Sequence, residues 1–174
     1  VCTWVGNTCY WASYGASSGL GTRRVASVTA GGDRVWFGTD DDGLHSLAPN
    51  WGAVLGDDVL SVATQSGHVW IGKTDGWAHF NGTSWAAGTS PPVRAILLLS
   101  PNDIWVGTDG DGIRRWTGSA WATMNTANSG LTDNSVLALA ADSKGRIWIG
   151  TNSNGLAIFT PRKGWATFKT TNSP

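Results

Sequence analysis

The sequence predicts an all-β chain, and three observations carry that expectation. All twelve acidic residues are Asp, so Glu, a strong helix former, is absent. Glycine numbers 24 and tryptophan 12 in 174 residues, which suits short strands joined by tight turns. One phrase is also written four times, as Arg34-Val-Trp-Phe-Gly-Thr39, His68-Val-Trp-Ile-Gly-Lys73, Asp103-Ile-Trp-Val-Gly-Thr108 and Arg146-Ile-Trp-Ile-Gly-Thr151.

The repeat assigns each element. Ahead of each phrase stands an apolar strand A: Val25-Ala-Ser-Val28, Val59-Leu-Ser-Val62, Val93-Arg-Ala-Ile96 and Val136-Leu-Ala-Leu139. The phrase itself is strand B, with Trp36, Trp70, Trp105 and Trp148 spaced by 34, 35 and 43 residues. A polar turn and a glycine (Gly43, Gly76, Gly112, Gly155) open strand C, which carries Leu47, Phe80, Trp116 or Phe159. Strand D holds Trp51, Trp85, Trp121 or Trp165. Four short strands per unit is the arithmetic of a β-propeller blade. Residues 1–174 therefore read as one propeller domain with blades at 25–54, 59–87, 93–124 and 136–168. Residues 1–14 align Trp4 with Trp116 and Trp11 with Trp121, so they read as strands C and D of a half blade lacking A and B. The count is about four and a half blades, a five-bladed ring if completed. The half blade leaves a bare edge, to be covered by more chain, by a larger propeller or by self-association.

These residues resemble the two-component regulator propeller repeat, a bacterial family whose repeats read roughly apolar, Asp, Gly, Trp-apolar-Gly-Thr, Gly-Leu. Val136-Leu-Ala-Leu-Ala-Ala-Asp-Ser-Lys-Gly-Arg-Ile-Trp-Ile-Gly-Thr-Asn-Ser-Asn-Gly-Leu156 follows that phrase most closely. The resemblance implies the extracytoplasmic sensing part of a bacterial regulator, or a module of a secreted or surface protein. The expected location is extracellular or periplasmic. The chain departs from the family in having too few blades for the larger sensor rings and no helical signalling segment.

Charge and motifs narrow the function. Twelve Lys+Arg balance twelve Asp, for a net charge of zero and a pI near 7.0, which argues against a nucleic-acid partner. No apolar run, Ala95 to Leu99 included, approaches the length of a membrane span. No signal peptide is visible and the first residue is Val1, which reads as a processed protein or a piece of a longer one. No Gly-x-Ser-x-Gly elbow, phosphate loop or zinc motif is present, and His45, His68 and His79 are scattered. The expectation is a non-enzymatic module presenting a surface to a protein or glycan.

Strand alternation puts the B–C turns and D–A connectors on one face of the ring. The turns bring Asp40, Asp41, Asp42, Asp75, Asp109, Asp111, Asn152 and Asn154 there. The connectors add Arg23, Arg24, Asp57, Asp58, Asp133 and Asn134. Such oxygens suit a polyol, a sugar or Ca²⁺. The same residues are good hairpin turns with no ligand at all, and no turn completes a calcium loop, so no cofactor is expected. The tryptophans divide likewise between stacking on sugar rings and packing blades, with Trp77 read as core. Cys2 and Cys9 lie on the two arms of the first hairpin; as diagonal neighbours they form a strained disulfide or remain two thiols. A small propeller lectin and a structural subunit of a surface assembly are the alternative functions.

Overall fold

The computed structural model describes residues 2–5, 8–11, 24–40, 42–47, 51–55 and 58–169. Its first four-stranded sheet holds β3 (Val25–Gly31), β4 (Arg34–Thr39), β5 (Gly43–Leu47) and β6 (Trp51–Leu55). The second holds β7 (Val59–Gln65), β8 (His68–Lys73), β9 (Gly76–Phe80) and β10 (Trp85–Thr89). The third holds β11 (Val93–Ser100), β12 (Asp103–Thr108), β13 (Ile113–Trp116) and β14 (Trp121–Met124). The fourth holds β15 (Val136–Ala141), β16 (Ile147–Thr151), β17 (Leu156–Thr160) and β18 (Gly164–Phe168). Each sheet is an antiparallel meander in chain order, and no helix occurs among the described residues. The fold is a β-propeller built of four-stranded blades.

β1 (Cys2–Val5) and β2 (Thr8–Trp11) form a two-stranded sheet in which Trp4 faces Cys9 and Cys2 faces Trp11. That register makes Cys2 and Cys9 diagonal neighbours along the backbone. Their side chains, and so the disulfide, lie outside the described residues, as do those of Trp4 and Trp11.

One irregularity recurs. The pairing of strand A with strand B slips after its first residue in every blade, between Val25 and Ser27, Val59 and Ser61, Val93 and Ala95, and Val136 and Ala138. A bulge of this kind twists the strand and re-aims the side chains on either side of it. The valine is thereby turned towards the neighbouring blade, while the bulged residues Ala26, Leu60 and Arg94 line a common hollow where the A strands converge. Strands β3, β7, β11 and β15 lie side by side in that order.

The core lies between blades. Leu44 of the first blade packs with Val59, Val69 and Ile71 of the second; Trp70 packs with Val93, Ile104 and Val106 of the third. Trp105 packs with Val136, Ile147 and Ile149 of the fourth. Of the four strand-B tryptophans expected to be buried, Trp36, Trp70 and Trp105 are, at 8%, 6% and 1% exposure. Trp148 is the exception and is half-buried, because no described blade follows its own. Gly43, Gly76, Gly112 and Gly155, which open the C strands, have φ of 84, 150, 81 and 77°, a region costly for any side chain.

Candidate functional site

The polar loop face is held together by its own pairs. Arg24 binds Asp40 at 2.6 Å, Lys73 binds Asp75 at 3.1 Å and Arg94 binds Asp109 at 3.2 Å, so three blades each join a basic residue to the acid of their B–C turn. Asp109 also accepts from the Ser135 hydroxyl at 2.6 Å. That bond and Arg94 hold its carboxyl below the usual range. Asp42 lies 3.2 Å from His45. Asp133 accepts from the backbone N–H of Ser135 and of Ser153, both at 2.9 Å.

The amides are similarly engaged. The Asn134 carbonyl accepts from Gly110 and Gly112, and its side chain accepts from the Thr126 N–H. Asn152 donates its N–H to Ser135. The threonine ending the repeated phrase is a turn cap: Thr39, Thr108 and Thr151 donate to the carbonyls of Gly43, Gly112 and Gly155. Asp58, Asp111 and Asn154 are exposed. Arg23, Asp41 and Asp57 lie outside the described residues. Among the described residues no three of His, Cys, Asp or Glu form a group that could hold a metal ion. The hollow at the mouth of the A strands, about 240 Å³, is walled by Arg24, Val25, Ala26, Leu60 and Arg94, with both guanidiniums already paired to carboxylates.

A second site was not expected. Between the second and third complete blades opens a cleft of about 220 Å³ lined by Trp70, Trp77, His79, Ala86, Pro101, Trp116 and Trp121. Trp77 occupies the column filled elsewhere by Leu44, Ile113 and Leu156, but its ring is too large for that slot and stays half-buried. Gly88 makes room for it; a Cβ there would fall 2.6 Å from the indole Cζ2. The Trp77 ring lies 5.5 Å from Trp121 and 5.3 Å from Trp70. Beside it is a hollow of about 180 Å³ with Lys73, Asp75 and Thr89 in its wall. Arg114 sits 5.8 Å over Trp121 and donates to the Thr89 carbonyl at 3.2 Å.

Residues 130–153 match the family described as two component regulator propeller. Residues 130–153 carry the two-component regulator propeller repeat. Among solved structures, the extracellular domain of the hybrid two-component system BT3049 from B. thetaiotaomicron is similar at 28% identity and a TM-score of 0.73, over 84% of this chain and 22% of that one. The extracellular domain of BT4673 from the same organism is similar at 18% and 0.69, over 82% and 21%. A catalytically inactive virginiamycin B lyase from Staphylococcus aureus, solved with quinupristin, shares the fold at 17% and 0.68, over 84% and 56%. The chain thus spans about a fifth of the length of these two extracellular domains. No curated protein matches its sequence significantly.

In the matched segment the repeat's residues have structural tasks. Gly130 admits the Trp165 ring, with a Cβ position 2.3 Å from Trp165 Cβ, and Leu131 plugs the junction at 5% exposure. Two histidines of the second complete blade, separate in sequence, are also brought together. The β8–β9 register sets Trp70 opposite His79, so His68 lies one diagonal step away and its Nδ1 is 2.9 Å from His79 Nε2. His79 stacks on Trp70 at 4.1 Å, as part of the wall of the aromatic cleft.

That pair makes a pH prediction. Burial, reinforced by His68, holds the His79 imidazole below its ordinary value. Below about pH 6.5 the unfolded chain then binds more protons than the folded one. The contribution is therefore full above that pH and is lost on acidification towards the lower folded value. Urea midpoints from about pH 5 to 8 should fall on acidification, and His79→Gln should flatten the slope. An unchanged slope in the variant would place the titration elsewhere.

Proposed function

We propose that this chain is a non-catalytic, extracytoplasmic binding module of the sensor type, and that its ligand enters the aromatic cleft between the second and third complete blades. One observation carries the reading: at Trp77 the repeat departs from its small apolar column and places a half-buried indole against Trp121. Core packing alone is served by Leu44 or Ile113 in the same column, both fully buried. A ring left partly in water between two hollows supplies flat apolar surface for contact. The similarity to the extracellular domain of a hybrid two-component system supports the location and the sensing role.

The loop face supports binding elsewhere less well, since most of its described carboxylates and amides serve turns or ion pairs. A protein or peptide side chain could occupy the cleft. A carbohydrate is the second reading, favoured by polar Lys73, Asp75 and Thr89 beside the Trp77 ring, an arrangement able to bond hydroxyls while the ring stacks on a sugar face. Tryptophan fluorescence titrated with neutral oligosaccharides and with apolar peptides tests the two. Trp77→Leu, which restores the column residue, should weaken binding of the responding class by about tenfold or more while leaving the melting temperature near that of the parent. Equal binding by the variant would sink the assignment of the cleft.

A further inference from the structure

The junction between the second and third complete blades departs from its neighbours on both of its walls. Between the first and second blades, Leu44 shares a buried cluster with Ala78; between the third and fourth, Ile113 shares one with Ala157. A large residue on one strand C thus meets a small one on the next, and the outer seam closes. At the middle junction the large residue is the Trp77 indole. The facing column holds Arg114, where the other blades have His45, Ala78 and Ala157, all buried. Both replacements are too bulky for a closed seam. Trp77 and Arg114 are each half-buried, and the cleft of about 220 Å³ opens beside them.

Charge at this junction is one-sided. Arg114 stands between the two hollows: its guanidinium lies 5.8 Å over Trp121, in the wall of the cleft, and donates at 3.2 Å to the carbonyl of Thr89, in the wall of the other. Arg24, Arg94, Arg115 and Arg146 each hold a carboxylate. Arg114 holds none among the described residues. The acid of the neighbouring hollow, Asp75, is engaged by Lys73 at 3.1 Å, and no acidic residue lines the cleft. Stacking over an indole leaves the edge N–H groups of a planar guanidinium able to bind a carboxylate side-on.

We propose that the ligand of the aromatic cleft is a flat apolar anion, with its ring against Trp77 and its carboxylate on Arg114. The inference rests on the cleft being the binding site and adds the charge that its ligand carries. An apolar ring covering the indoles also displaces water from the rim. The carboxylate then meets the guanidinium in a partly dry setting, where a charge-assisted pair is stronger than in open water. A cation of the same shape would meet Arg114 as a like charge, and a neutral molecule would leave its remaining donors to water.

Isothermal titration calorimetry with naphthoate and its neutral isostere naphthamide separates the charge from the cleft. The parent should bind the carboxylate about tenfold more tightly than the amide, with the gap narrowing as ionic strength rises. Arg114→Gln, with its far-ultraviolet dichroism unchanged, should bring the carboxylate down to the level of the amide. Trp77→Leu should weaken both probes. Equal binding of the two probes by the parent, or a preference that survives both added salt and Arg114→Gln, would overturn the anionic ligand and leave the cleft standing. Binding that Trp77→Leu does not weaken would overturn the cleft and the proposal together. Failure of both probes to bind at millimolar concentration would overturn the proposal as well.

Discussion

Replacing Trp105 by Ala is expected to destabilise the fold by about 3–5 kcal/mol, measured by urea denaturation. The ring is 1% exposed and sits in the largest of the between-blade clusters, 5.5 Å from Phe159 of the following blade. Its indole N–H donates to Asp103 at 2.9 Å, and the same carboxylate holds Arg115 by two bonds of 2.7 and 2.8 Å. The guanidinium in turn lies 4.9 Å over the indole. Truncation opens a cavity and removes the surface on which the Arg115–Asp103 pair rests. Against a total of about 5–15 kcal/mol for a domain, such a loss is a large fraction. Trp148→Ala should cost less, about 1–2 kcal/mol, because that ring is half-buried and touches no following blade among the described residues. Equal losses at the two positions would show that the tryptophans act within their own sheets and not across junctions.

Gly72→Ala should destabilise by about 1–3 kcal/mol, whereas the same change at Gly150 should be neutral or stabilising by about 0.4–1 kcal/mol. At Gly72 the added carbon falls 2.3 Å from Ser61 Oγ, 2.4 Å from Val93 Cγ1 and 2.5 Å from the Val93 carbonyl. The Ser61 hydroxyl donates to that carbonyl at 3.1 Å, so the methyl would enter a closed polar contact between two blades. Part of what it meets is backbone, which cannot rotate away, and the sheets would have to separate. At Gly150 the nearest atom is the Ala138 Cβ at 3.4 Å, an ordinary contact. Replacing glycine there mainly restricts the unfolded chain. Thermal melts give the comparison.

Much of the fold was legible because the constraint is local and repeats. A valine that starts strand A, a Trp-x-Gly phrase and a glycine with positive φ each stand at fixed offsets. Four copies make the period plain. The strands begin at Val25, Val59, Val93 and Val136 as the offsets require. The candidate site was legible in part. The loop-face acids were found, but sequence alone could not separate ligand oxygens from turn oxygens, since Asp and Asn serve both. The Arg partners appear only when the start of strand A folds beside its own B–C turn, as with Arg94 and Asp109, fifteen residues apart.

The aromatic cleft and the histidine pair were missed for a related reason. Trp77 is one large apolar residue in an apolar column, and whether it fits depends on the volume left by Gly88 and Trp121 across two sheets. His68 and His79 look scattered until hairpin register puts Trp70 opposite His79. The signal was present in the B–C spacing, but register has to be known before diagonal neighbours can be identified.

The sequence by itself determined the all-β class, the four-stranded unit and the order of strands. Those follow from backbone preferences and a side-chain period confined to each hairpin. Tertiary structure alone decided which identical motifs become different environments. The same phrase buries Trp105 and leaves Trp148 half-open, and the same valine is sealed at 136 and exposed at 25. A repeat dictates the shape of one blade's two faces, whereas burial requires that another blade be there to meet them.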